Sequence, residues 1–379
     1  MKKFVSTVVA MSVVVGGYLA YSALTSKSPV AEALAAAKTY SATMYVAGMG
    51  GHFAKADVTI DPNNTENPIK VDKLDMVDIG GATHPTHDAR IDAKDKNTMY
   101  WSTYKLDTWK DKDAKGGNLH VGKTDLKTGN VVKDTAFPAP ERAKWTGANY
   151  CASGQSEKYF MPVSMADEGY IDVFDKATME LKHRVFFDDL GIKAGETTFA
   201  HGINTPDMKK FLLTVNLSPD GHTKFNGNTK LIMLDMAALE QGKMVKLAEG
   251  VITGKPKDAS GGTITFRQFF TADGKTLFQS GADRGYVIDA ATLKVLDEVT
   301  PLPGENHDFM PTPDGKYAVL TLREKAKDFE GKDSTDGTLL LYDVAAKKTI
   351  GKSASVCFAC HKEQKVGTAV LCGLDANWK

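Results

Sequence analysis

The chain has 379 residues, 42% of them hydrophobic and 25% charged, enough to bury one large core or two ordinary ones. Lys+Arg and Asp+Glu both number 47, so there is no net field to recruit nucleic acid or an anionic membrane, and nucleic-acid binding is set aside.

In chain order, residues 1–38 read as an address and not as part of the fold. "MKK" is basic, Phe4 to Leu24 is an uncharged apolar run, and small residues follow, with small-x-small cleavage positions around Ala31 to Ala37. The alternative is an uncleaved N-terminal membrane anchor, since about 20 apolar residues can span a bilayer. Either reading sends the rest of the chain out of the cytoplasm, into a periplasm. Disulfides persist there, which bears on the four cysteines, Cys151, Cys357, Cys360 and Cys372.

From about Tyr40 the sequence repeats. Phe270 to Val299 and Pro311 to Gly351 are the clearest copies, followed by Ser153 to Val185. Asp92 to Val132 and Asn204 to Val245 are looser, and Thr43 to Val71 reads as a copy without its opening strand. Each has a polar turn, a short apolar strand, a loop, a strand ending in Asp, a second turn and a further strand. The "DGK" turns supply hairpin geometry and the alternating Val, Leu and Tyr supply strands. Four-stranded units of this length, repeated, predict an all-β fold, a β-propeller over residues 40–352. Six units are read directly, and a mature chain of about 340 residues predicts seven blades, with the two chain ends sharing one. The repeat resembles the YVTN-type and quinoprotein amine dehydrogenase-like propellers, a resemblance of architecture over Tyr40 to Gly351 that does not carry an activity.

After the last repeat, residues 353–379 read as a short C-terminal tail containing "CFACH", Cys357 to His361. C-x-x-C-H is the pattern of covalent haem c attachment: Cys357 and Cys360 add to the vinyl groups as thioethers and His361 is the axial ligand of the iron. A thioredoxin-like site would need a βαβ context, and a zinc ribbon would need a second ligand pair that the stretch around Cys372 does not supply. With Cys357 and Cys360 used, Cys151 and Cys372 remain either as a disulfide or as two separate buried thiols. The tail is shorter than an independent cytochrome domain, so a haem there has to lean on the propeller.

Three histidines recur at one point of the repeat, just before the innermost strand: His87, His307 and, within one residue, His201. Tyr150 and Cys151 hold that point in the third copy and Arg267 in the fifth. His84 lies just upstream of His87, and His52 falls in a loop opening on the same face. These five histidines, or a methionine, are the candidates for a distal iron ligand, a second metal such as copper, or acid–base catalysis; structural turn-capping is the alternative for each. The lysines Lys352, Lys362 and Lys365 are a candidate docking surface for an acidic redox partner, or are simply solvated.

Two functions follow, with a third beside them. The first is a periplasmic monohaem c-type cytochrome for electron transport. The second is an oxidoreductase whose haem relays electrons to a histidine site at the channel mouth. The propellers of haem d1 nitrite reductases, nitrous oxide reductase and amine dehydrogenase subunits resemble it, but those nitrite reductases carry the c-type haem near the front of the chain. The third is a non-catalytic subunit of a redox complex.

Overall fold

The structure is a computed structural model and describes residues 37–141, 150–165, 168–218, 226–254, 263–364 and 371–379. The leader or anchor expected over 1–38 lies almost wholly outside these residues. Six four-stranded antiparallel sheets are present among them. Their innermost strands lie side by side around one axis, as the blades of a propeller require.

We number the blades in chain order. Blade 1 pairs Leu371–Trp378, from the far end of the chain, with Tyr40–Gly48, His52–Ile60 and Ile69–Asp78. Blade 2 is Arg90–Ile91, Thr98–Ser102, Asn118–Asp125 and Val131–Pro138, and blade 3 is Tyr150–Gln155, Tyr159–Ser164, Tyr170–Asp175 and Leu181–Phe186. Blade 4 is Thr197–Asn204, Lys210–Leu217, Asn228–Asp235 and Lys246–Thr253. Blades 5 and 6 open with Thr265–Phe270 and Glu305–Pro311 and end with Val295–Val299 and Lys348–Ser355.

Local chemistry explains the repeat. Between the first two strands of blades 4, 5 and 6, a threonine hydroxyl (Thr205, Thr271, Thr312) donates to an aspartate two residues on (Asp207, Asp273, Asp314). The next residue takes a positive φ: Gly274 and Gly315 in two blades, Met208 in the third. In blades 2 to 6 the aspartate ending the third strand serves the following turn. Asp125 and Asp175 accept from the amides two and three residues on, and Asp289, Asp235 and Asp343 from the amide three on. Burial grades outward, from the wholly buried Tyr150–Gln155 to the largely exposed Val131–Pro138.

Two expectations need correcting. The seventh blade is not found among the described residues. Dividing chain length by a period of about 50 overcounts, because blade 2 carries a long loop over 103–117, blade 6 has two eleven-residue strands, and Cys357–Gln364 is helical. Nor is 353–379 a tail beyond the propeller. Lys348–Ser355 completes blade 6, the helix α1 (Cys357–Gln364) follows, and Leu371–Trp378 returns as the innermost strand of blade 1, supplying the strand that the first copy lacked.

Candidate functional site

Two features of the fold gather polar groups on one face, where the chain passes between blades and where second strands turn into third. The first is a bulge. In blades 1, 3, 4, 5 and 6 the innermost strand carries one extra residue against its neighbour: at 372–373, at Cys151, at 198–199, at Phe266–Arg267 and at His307. A bulge re-aims the side chain it carries.

Arg267 fills the centre. Its guanidinium lies 3.7 Å from Asp88 and 3.5 Å from Asp308 and donates to the carbonyls of His87 (3.4 Å) and Ala89 (3.2 Å). It therefore spans from blade 5 to blade 2, directly opposite, and reaches blade 6. Burial alone would penalise the charge, but Asp308 and Asp88 hold the guanidinium pKa above its ordinary value. The closing strand passes so near that a Cβ on Gly373 (φ 93°) would stand 2.5 Å from the Arg267 Nη1 and 2.2 Å from the His87 carbonyl oxygen. Only glycine serves there. Asp308 accepts from the Gly373 and Leu374 amides at 3.1 and 3.0 Å, tying the closing strand to blade 6.

Around this plug stand the recurrent residues. The Cys151 sulfur is 3.3 Å from His201 Nε2 and 3.8 Å from His87 Nδ1, so a thiol sits between two imidazoles. His87 stacks on Tyr104 (3.8 Å between ring centres), and His307 stacks on Phe266 (4.3 Å) and meets Glu305 at 2.5 Å. Thus His87, His201 and His307 do come to one channel mouth. They do not form a cluster whose ligand atoms all lie within 4.8 Å of one another, as the copper expectation would want. Cys151 is buried, and the Cys151–Cys372 pairing falls on a side chain, Cys372, outside the described residues.

Burial, reinforced by Arg267 and Arg323, keeps these imidazoles neutral: His201 is lowered to about 3, His307 to about 4, and His87 well below the usual histidine value. The unfolded chain therefore binds protons that the folded one refuses between about pH 4 and pH 6.5. Stability is complete above pH 7 and falls as the solution is acidified through that window, by about 1–3 kcal/mol for each of His201 and His307. Urea midpoints at pH 7.5 and pH 4.5 measure the fall, and His201→Gln should make it shallower; a parallel fall in wild type and variant would contradict this.

The second feature is α1. Its start is capped by Asp336, whose carboxylate accepts from the Phe358 amide at 2.9 Å, and it packs against Ile69–Asp78 of blade 1 and Asp333–Asp343 of blade 6. Cys357 and Cys360 are 3% and 0% exposed, and burial pushes the Cys360 thiol up to about 11. His361 does not reach the channel mouth. It meets His52, with ring centres 5.1 Å apart, and both imidazoles are buried. Burial, with His52 alongside, lowers the His361 pKa to about 4; burial lowers that of His52 as well. His361 Nδ1 has no hydrogen-bond partner. Of the candidate docking lysines, Lys352 pairs with Glu66 at 3.0 Å, Lys362 is exposed, and Lys365 lies outside the described residues.

His84, the remaining candidate, leaves both groups and joins His120 and Asp134 of blade 2. Sequence reasoning passed over His120 and Asp134, which belong to no repeated position. Their signal would have been two polar residues at staggered points of adjoining strands, visible only once the strand register is known.

No protein-family model matches the chain, and no curated protein matches it. Among solved structures it is similar to a chain of a nidogen/laminin complex, with a TM-score of 0.51 at 13% identity, covering 89% of this chain and 98% of that one. It is also similar to Kuenenia stuttgartiensis hydrazine synthase (TM-score 0.44, 14% identity, 78% of this chain and 74% of that one). A further likeness is to the Myceliophteria thermophila Cps50 (Swd1) β-propeller domain (TM-score 0.39, 12% identity, 71% and 85%). At these identities the likeness concerns the fold alone. The protein is an all-β, six-bladed propeller.

Proposed function

We propose that this propeller is an exported c-type cytochrome with one covalently attached haem, that His361 and His52 would hold its iron, and that its role is electron transfer with a redox partner protein or complex. The observation that carries the reading is the facing of His361, the histidine of C-x-x-C-H, by His52 from another blade at 5.1 Å.

The donor types fit the group, and the His361 and His52 rings, 5.1 Å apart, would have to part by about 1 Å to hold an iron between them. Cys357 and Cys360 are three apart on α1, and His361 follows one turn after Cys357, so all three leave one side of the helix. Val356 shares one apolar cluster with both cysteines, Leu74 and Met76 pack against it, and His361 Nδ1 is a buried nitrogen without a hydrogen-bond partner. A c-type haem held there supplies a one-electron couple whose potential is set by its axial ligands and burial. The chain's own part is to anchor the group through Cys357 and Cys360, to present neutral imidazole nitrogens from His361 and His52, and to keep water away with the apolar residues around α1. Blades 1 and 6 fix both imidazoles on rigid strands or against them, which favours small reorganisation on electron transfer. Lys362, exposed one residue beyond His361, is the cation nearest in sequence for an acidic partner.

A second reading, an oxidoreductase, rests on Cys151 held between His87 and His201 beside Arg267. A spectrum tests the ligand assignment of the first. The electron-transfer reading expects a six-coordinate, low-spin signal in both oxidation states, with no response to carbon monoxide. His52→Ala should turn the spectrum high-spin and admit carbon monoxide. A wild-type haem that binds carbon monoxide readily, or a His52→Ala variant that stays low-spin, would overturn the His52 assignment.

A further inference from the structure

We infer that His84, His120 and Asp134 form a binding site for one divalent first-row transition-metal cation, separate from the haem segment and from the channel mouth. Three elements meet there. His84 comes from the passage between blades 1 and 2, His120 from the third strand of blade 2, and Asp134 from its outer strand. The Asp134 oxygens lie 3.0 Å from His84 Nε2 and 2.8 Å from His120 Nδ1, and ligand atoms of all three residues fall within 4.8 Å of one another. Metal–ligand bonds of about 2.1 Å meeting at a tetrahedral angle separate their donors by about 3.4 Å, so the triad has to open by about half an ångström to close on an ion.

The other nitrogen of each imidazole is engaged in the way metal sites require. His84 Nδ1 lies 2.8 Å from the Thr83 hydroxyl, and His120 Nε2 lies 3.5 Å from Asp107. Such outer partners select the tautomer that turns the free lone pair towards the ion. The rings are also held sterically. The two imidazoles stand 4.2 Å apart, Trp101 meets His84 edge-on at 5.7 Å, and a Cβ on Gly80 (φ 137°) would lie 2.1 Å from His84 Nδ1. The histidine side chains are about a tenth exposed and Asp134 is 35% exposed, so the site opens to solvent on the carboxylate side. An ion enters there, and water completes its coordination. Two imidazoles and one carboxylate suit zinc, ferrous iron, nickel or copper and do not suit magnesium or calcium.

The competing account is a hydrogen-bonded His–Asp–His network with no ion. Calorimetry with Zn²⁺ alone, on the full-length haem-loaded protein after chelator treatment, separates them. The expected result is one zinc per chain at micromolar affinity or tighter, with Asp134→Asn weakening it at least 100-fold. Asp107→Asn, which leaves all three ligands in place, should weaken it about 10–100-fold, and it decides the matter if Asp134→Asn does not fold. Absence of binding tighter than millimolar, or binding that Asp134→Asn and Asp107→Asn leave unchanged, would overturn the site.

Discussion

Arg267→Met should destabilise the propeller by about 3–5 kcal/mol, read as a lower midpoint in urea. The residue is 2% exposed and stands between two carboxylates, Asp88 and Asp308, that are wholly buried. Methionine has similar reach but no charge, so both carboxylates would stay in the core without their cation. Asp88 Oδ1 has no hydrogen bond of its own, whereas Asp308 keeps donors from Thr321, Gly373 and Leu374. The loss should therefore concentrate on the Asp88 side. Adding Asp88→Asn to Arg267→Met should recover part of the stability, making the pair strongly non-additive. Arg267→Lys should sit between wild type and Arg267→Met, because it restores charge without the fork that reaches two blades at once. A midpoint unchanged within error in Arg267→Met would mean that the ring closes independently of this contact.

Cys357→Ser with Cys360→Ser should abolish covalent haem altogether. The check is haem that stays with the chain after denaturing extraction, which should fall from one equivalent to none. A single substitution should leave one thioether and a shifted absorption band. Serine is close to isosteric, and strands on either side of α1 pair through backbone bonds, so the double variant should retain its β-sheet circular dichroism. Haem retained at full stoichiometry in the double variant would remove the attachment reading.

The blades could be read from sequence because their determinants are local. A Thr–x–Asp turn, an Asp at the end of the third strand and two-residue alternation each act within a few positions. Equivalent points of a closed ring become neighbours in space, which is why aligning His87 with His307 anticipated the channel mouth, and why Cys151 and Arg267, occupants of the same slot, belong to it. The pairing of His361 with His52 was legible only as a shared face. Which histidine His361 would meet depends on where α1 docks, and that is decided by tertiary packing against blades 1 and 6. His84 with His120 and Asp134 lay beyond sequence reading, because it depends on register across two strands of one blade and not on the repeat.

On the proposed reading, the position of α1 also imposes an order of assembly. The helix is tethered at both ends, by the last strand of blade 6 and by the strand that completes blade 1, and its two thiols are 3% and 0% exposed once that strand is seated. A thioether forms only at a thiol that the porphyrin can reach. On the proposed reading, the last nine residues then work as a latch in time: the chain must receive its cofactor while they are still undocked, and their docking afterwards seals the product inside.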